Sequence, residues 1–375
     1  MAVHTIMMDF TIKANTPGDS EERQNLINTL ESALSSYVKD IKILQTTEVV
    51  DGFIVFFLGY KGTLVTARAF EKGVLTVNVE FYKPADEDPL MNFEVVKKIE
   101  GVIRESLRSQ WSHKYPPFKR ADKVNKYFVT SDERLLEYDT DALLYEEKSP
   151  FQKIQIFHSR SCGNFLVLDD LQNLSDADLV YTETLMQRGK ENYEGKEILI
   201  LGGGDGALLW ELLKEKPKFV TMIDIDELVI KACRIHMRKS CGDCLDNYDG
   251  PNYKIIVNDC VKIMDQYIGE GRDFDYVFGD LTDVPISPTP QGAHWDFIRL
   301  ILEKSFKVIR PTGKYMTHVN GSCSPSSIQM YVDQLKKLSV EVEYSSDHAF
   351  VPSFLEDWVF LQVWKKQSQK EKVPN

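Results

Sequence analysis

The fold is decided at residues 197–207, Glu197-Ile-Leu-Ile-Leu-Gly-Gly-Gly-Asp-Gly-Ala207. An apolar run of strand length ends in three glycines, then an acid, a glycine and a helical pattern reaching Leu213. Glycine lets the backbone turn sharply and lets a ligand approach closely. The loop lacks the Gly-Lys-Ser/Thr ending of a phosphate-cradling loop, and Asp205 stands where a pyrophosphate would approach. A carboxylate there repels phosphate and attracts a sulfonium or an ammonium. The competing reading is an ordinary tight strand-to-helix turn.

Strand and helix patterns alternate from there on. Strands are predicted over 219–225, 253–257, 276–278 and 314–318, helices over 227–239, 261–267, 294–309 and 328–338, and a closing strand pair over 340–344 and 358–364. Such alternation implies a parallel, doubly wound α/β sheet, whose ligands sit beyond the carboxyl ends of its strands. Each strand end carries an acid: Asp205, then Asp224 in Ile223-Asp-Ile-Asp226, then Asp259 before Cys260, then Asp280 and Asp283 in Asp280-Leu-Thr-Asp283. Asp224 lies about 20 residues beyond Gly204, where nucleoside-binding folds place an acid on the ribose hydroxyls. Asp226 is the better N-cap for the following helix. No cluster of Lys or Arg offsets these acids, so the cleft attracts polycations, and crowding raises the carboxyl pKa values toward those of a general base for an ammonium.

Upstream, residues 1–115 read as an α+β unit. Strands are expected over 4–13, 41–44, 52–58, 63–69 and 74–81, with helices over 20–37, N-capped by Ser20, and over 93–109. Pro116-Pro117 within the basic stretch Trp111–Lys123 marks a linker, placed at 116–125. Residues 126–172 form a small β-rich domain with strands over 127–130, 134–138, 142–147, 151–158 and 164–168. The α/β domain then runs over 173–366, opening with a helix over 176–189, and 367–375 is a polar tail.

Composition removes other classes. The chain has 375 residues with 57 acidic against 45 basic side chains, a net charge of −12, which disfavours nucleic acid as a partner. No apolar run is long enough to span a bilayer, and Met1–Asp9 lacks signal-peptide features. Six cysteines do not make a disulfide framework and fit a reducing, cytoplasmic setting. Cys233, His236, Cys241 and Cys244 have zinc-knuckle spacing, but the first two fall on a predicted amphipathic helix where packing is the usual role, so no metal is expected. No Gly-x-Ser-x-Gly elbow supports hydrolase chemistry.

Leu201-Gly-Gly-Gly-Asp-Gly206, Ile223-Asp-Ile-Asp226, Asn258-Asp-Cys260 and Gly279-Asp-Leu-Thr-Asp-Val-Pro285 together resemble the aminopropyltransferases (polyamine synthases), and within them the spermine synthases. Supporting stretches are 176–186, 237–247 and Val351-Pro-Ser-Phe-Leu-Glu356, so the resemblance spans about residues 126–366. It implies a Rossmann-like domain of the class I methyltransferase type. It also implies an N-terminal domain resembling half of S-adenosylmethionine decarboxylase, through which the chain forms a homodimer.

The implied reaction transfers an aminopropyl group from decarboxylated S-adenosylmethionine to spermidine, giving spermine and 5'-methylthioadenosine, with no other cofactor. By the resemblance, Asp280 is the general base and Asp205 aligns the reacting amine or the donor. Gln152 and Asp224 bind the donor, with Asp259 and Cys260 at its adenine, while Tyr181, Asp283, Phe354 and Glu356 contact the polyamine. The chain departs from the family in having Asp224 for Glu, Phe354 for Tyr and Ala207 for Gly, and Asp283 is an extra acid. Spermidine or thermospermine synthesis is the alternative. A methyltransferase or a non-catalytic polyamine-binding protein is more remote.

Overall fold

The computed structural model describes residues 2–14, 16–282 and 292–366, and divides into two compact units between Lys123 and Val124. The first unit contains β1 (Ala2–Thr11), α1 (Ser20–Ser35), β2 (Lys42–Val49), β3 (Gly52–Leu58), β4 (Leu64–Phe70), β5 (Val74–Lys83), α2 (Phe93–Ser106), β6 (Ser112–Lys114) and β7 (Phe118–Arg120). Its strands pair antiparallel in the order β2-β3-β4-β5-β1, with β6 and β7 both on the free side of β1. Alternate residues of β1 and β3–β5 are buried, the period of a sheet with one face on a core. Leu30 and Leu34 of α1 and Val96 and Ile99 of α2 join Phe10, Phe53 and Val77 in that core.

Two expectations change in this unit. Asp19, not Ser20, caps α1, because its carboxylate accepts from the N–H groups of Glu21 and Glu22. The stretch expected as a linker, 116–125, carries β7, with β6 just before it, since Pro116-Pro117 interrupts pairing with β1 without preventing its resumption at Phe118.

The second unit opens with a hairpin of β8 (Tyr127–Val129) and β9 (Leu135–Glu137). A four-stranded antiparallel meander follows, of β10 (Thr140–Lys148), β11 (Lys153–Ser159), β12 (Gly163–Leu168) and β13 (Leu171–Ser175). Sequence reading missed β13, which is tied to β12 by Asp169 and Asp170, both in the left-handed region at φ 46 and 65. The small sheet therefore reaches Ser175, beyond the expected boundary at 172. Next, α3 (Leu179–Leu185) is shorter than expected, because Gln187 and Gly189 turn left-handed just past it.

The α/β sheet consists of β14 (Glu197–Gly202), β15 (Phe219–Asp224), β16 (Tyr253–Val257), β17 (Phe274–Asp280), β18 (Ile309–Gly321), β19 (Val342–Val351) and β20 (Glu356–Lys365). Its helices are α4 (Ala207–Lys214), α5 (Glu227–His236), α6 (Arg238–Cys241), α7 (Cys260–Glu270), α8 (Gly292–Val308) and α9 (Pro325–Leu335). The strand order is β16-β15-β14-β17-β18-β20-β19, parallel through β18, with β20 antiparallel to both neighbours. Ile198 to Leu201 of β14 are all buried, as expected of a strand covered on both faces. The order reverses between β14 and β17, which opens a crevice at their carboxyl ends.

Cys233 and Cys241 are buried in the core, and the Cys244 thiol contacts the Gly206 carbonyl at 3.4 Å. These thiols pack α5 and α6 against the glycine loop. Among the described residues no group of three or more metal-ligating side chains is placed to hold an ion.

Candidate active site

The crevice between β14 and β17 widens into a cleft of about 500 Å³. Its floor is possible only with glycine. Gly202 has φ 85, and a Cβ there would lie 2.1 Å from the Asp280 carbonyl oxygen. A Cβ on Gly204 would lie 2.7 Å from Asp224 Oδ2, the atom that accepts the Gly204 N–H at 2.9 Å. The loop thus closes onto two neighbouring strand ends, and Asp205, Asp224 and Asp280 line one cleft.

The three carboxylates are held differently. Asp205 accepts the Ala207 N–H at 2.8 Å, at the start of α4. Asp224 accepts two backbone N–H groups, those of Gly204 and, at 2.8 Å, Asp226. Asp280 meets the hydroxyl of Tyr181 at 3.5 Å. Withdrawal from water raises all three pKa values, and repulsion from neighbouring acids adds to it at Asp224 and Asp280. The Asp224 carboxyl is pushed up to about 6 by burial, opposed by its two N–H donors. Burial raises Asp205 likewise. Asp280 is pushed up to about 8 by burial and then by the charges of Asp205 and Asp224, with partial opposition from the Tyr181 hydroxyl. Tyr181 stays protonated, because burial and the charges of Asp280 and Asp205 raise its phenol well above the ordinary value.

The aromatic side chains of Tyr181, Phe354 and Trp358 line the cleft as well. Tyr181 meets Phe354 and Phe360 edge-on at centroid separations of 6.1 and 5.1 Å, and Phe354 lies 4.8 Å from Trp358. Aromatic faces beside carboxylates suit an aliphatic chain that carries ammonium groups. Of the other residues anticipated from sequence, Gln152, Asp259, Cys260 and Phe354 also line the cleft. Asp259 has a second duty as the N-cap of α7, accepting the Val261 N–H at 2.9 Å. Asp226 caps α5 as expected and also receives the Ser149 hydroxyl and the Gln152 amide.

One anticipated residue is placed elsewhere. Glu356 is buried, accepts the Ser131 N–H and hydroxyl at 2.9 and 2.8 Å, and lies 3.5 Å from the Arg134 guanidinium. Its oxygens are occupied by the hairpin turn, and it is not among the residues lining the cleft. Asp283 lies outside the described residues.

Sequence reading missed His318, Trp358 and Asp169, all of which line the cleft. His318 lies on the strand beside β17, where its Nε2–H donates to the Leu281 carbonyl at 3.0 Å. Burial lowers its pKa to about 4, so it is neutral. The strand-end rule that found the acids applies equally to this histidine. Asp169 also follows an expected strand, 164–168, but in an antiparallel sheet, where successive strand ends do not converge on one edge.

Two family models match the second unit. The "Spermine/spermidine synthase domain" matches residues 178–373, and the "Spermidine synthase tetramerisation domain" matches residues 127–175. The polyamine aminopropyltransferase of Shigella boydii serotype 4 (strain Sb227) is 30% identical over 237 residues, 61% of this chain and 75% of that protein. The enzyme of the same name from Escherichia coli O81 (strain ED1a) is also 30% identical over 237 residues, with the same coverage. A crystal structure of spermidine synthase in complex with the transition-state analogue AdoDATO superimposes with a TM-score of 0.51 at 21% identity. It covers 64% of this chain and 80% of that one, and shows the shared methyltransferase-like α/β fold. The matched stretch runs from the small antiparallel sheet through the acidic cleft, and by that match the chain belongs to the spermine/spermidine synthase family, the polyamine aminopropyltransferases.

Proposed function

We propose that this aminopropyltransferase makes spermine, by transferring the aminopropyl group of decarboxylated S-adenosylmethionine to spermidine. One observation carries the chemistry: a single carboxyl, Asp280, is pushed up to about 8 where two further acids and a protonated phenol converge. In this reading Asp280 takes the proton from the acceptor ammonium. The freed nitrogen lone pair attacks the carbon beside the sulfonium, so a C–N bond forms as the C–S bond breaks. The bonding pair returns to sulfur, and 5'-methylthioadenosine leaves as a neutral thioether.

Asp205 aligns the amine, Asp224 accepts from the ribose, and Gln152, Asp259 and Cys260 complete the donor side. Tyr181 and Phe354, with Trp358, flank the polyamine chain. Alignment of two substrates supplies much of the rate, up to about 7–11 kcal/mol. The carboxylate of undecarboxylated S-adenosylmethionine would face Asp205, which disfavours methyl transfer.

Support for spermidine as acceptor comes from the N-terminal unit, which lies outside both matched domains and accompanies the spermine synthases in the resemblance. The reading includes a homodimer formed through that unit, a likeness of that unit to half of S-adenosylmethionine decarboxylase, and a cytoplasmic location suited to six free thiols. The name of the domain matched at residues 127–175, that of spermidine synthase, favours a second reading, putrescine as acceptor and spermidine as product. Incubation with decarboxylated S-adenosylmethionine and either putrescine or spermidine, followed by isomer-resolved mass spectrometry, decides between them. Spermine from spermidine is expected. Spermidine from putrescine alone would transfer the conclusion to the second reading.

A further inference from the structure

We propose that Asp226 is a positioning residue that determines which end of the Gln152 side-chain amide faces the cleft. The inference rests on Gln152 acting as a donor-binding residue. Asp226 is 2% exposed and caps α5, its Oδ1 accepting the Leu228 N–H at 3.1 Å. A helix cap requires only that oxygen. Here Oδ2 receives two donors from the turn between β10 and β11: Ser149 Oγ–H at 2.6 Å and Gln152 Nε2–H at 3.0 Å. Ser149 Oγ itself accepts the N–H groups of Phe151 and Gln152 at 3.0 and 3.1 Å. The whole Ser149-Pro-Phe-Gln152 turn is thereby anchored on one carboxylate.

An ionised carboxylate can only accept, whereas a glutamine amide can present either a donor or an acceptor. With Nε2 committed to Asp226, the end of Gln152 left for the cleft is the carbonyl oxygen. Asp205 and Asp224 line the same cleft with carboxyl oxygens. The wall therefore matches a ligand rich in N–H and O–H groups, such as an ammonium with ribose hydroxyls, and opposes one that carries a carboxylate.

The test reverses the polarity of the contact. Asn caps a helix about as well as Asp, so Asp226→Asn is expected to fold. With Oδ1 still held by Leu228, its NH₂ faces Gln152, which turns its carbonyl inward and presents NH₂ to the cleft. The Kd for decarboxylated S-adenosylmethionine, read by calorimetry, is expected to rise about tenfold, with kcat at saturating donor within about threefold. The double variant Asp226→Asn/Gln152→Glu restores an acceptor to the cleft and is expected to bind within about threefold of the original. Gln152→Met, at a half-buried cleft position, removes both amide ends and is expected to lose as much as Asp226→Asn. Unchanged binding in Asp226→Asn or Gln152→Met, or no recovery in the double variant, overturns the proposal. Turnover of the unmodified protein is read separately. Active protein with unaltered variant binding refutes only the role of Asp226, whereas no donor binding by the unmodified protein refutes the donor reading and this inference with it.

Discussion

Neighbouring strand ends of the cleft hold their carboxylates in different ways. On the side of the glycine loop, Asp205, Asp224 and Asp259 each accept backbone N–H groups at 2.8–2.9 Å. Such donors fix where an oxygen points and favour the ionised form. On the adjoining strand end, the Asp280 carboxylate has only the Tyr181 hydroxyl at 3.5 Å among the described residues, and it is pushed up to about 8. In the proposed reading the amide-anchored acids are fixed acceptors for binding, and the acid left without such anchors, facing two like charges, is the one that moves a proton. One residue type would then take two roles through its different backbone partners.

The strongest way to break this comparison is Asp280→Asn. Turnover should fall about 10²–10⁴-fold, the scale of a lost general base. The same change should stabilise the protein in alkali. The folded carboxyl is pushed up to about 8 from an ordinary 3.8, so between those values the folded state holds the extra proton and wild-type stability falls as pH rises. The variant's Tm should exceed the wild type's at pH 9, by about 2–4 °C per kcal/mol, with the gap closing toward pH 4. A lower Tm at pH 9 would mean that Asp280 is a structural anchor like the others.

A smaller effect is expected on the anchored side. Gly204→Ala places a Cβ 2.7 Å from Asp224 Oδ2 and displaces that acceptor. Donor KM should rise about tenfold with kcat within about threefold, the pattern of lost uniform binding. A comparable fall in kcat would erase the division of labour. The smallest effect is Phe354→Tyr. Its hydroxyl joins the aromatic wall, so acceptor KM should fall about threefold, the scale of one net hydrogen bond, with donor KM unchanged. A change in donor KM instead would place Phe354 on the wrong side of the cleft.

The same contrast explains what could be read from sequence. Asp205, Asp224, Asp259 and Asp280 were visible because each ends a strand of regular apolar pattern, and strand ends converge in this fold. Asp226 was visible as a cap for the same local reason. Its second duty was not, because Ser149 and Gln152 reach it from 77 and 74 residues away. Glu356 shows the reverse failure: its partner Ser131 is 225 residues distant, and no local pattern reveals that the carboxylate is already occupied. Strand β13 escaped because it is only five residues long and its middle, Gln172-Asn173, is polar. In the first unit, β6 and β7 were hidden behind a proline pair that breaks pairing only locally.

The pH dependence of kcat/KM, compared between the wild type and Asp205→Asn with the same substrates, tests the central claim most directly. Ionisation of the substrate amine is common to both proteins, so any difference belongs to the cleft. The account predicts a rising limb near pH 8 for the wild type, since Asp280 accepts a proton only once it has lost its own. Removing the charge of Asp205 lowers the Asp280 pKa, so the limb of the variant should move to lower pH. An unmoved limb would contradict the assignment of Asp280 as a base tuned by its acidic neighbours.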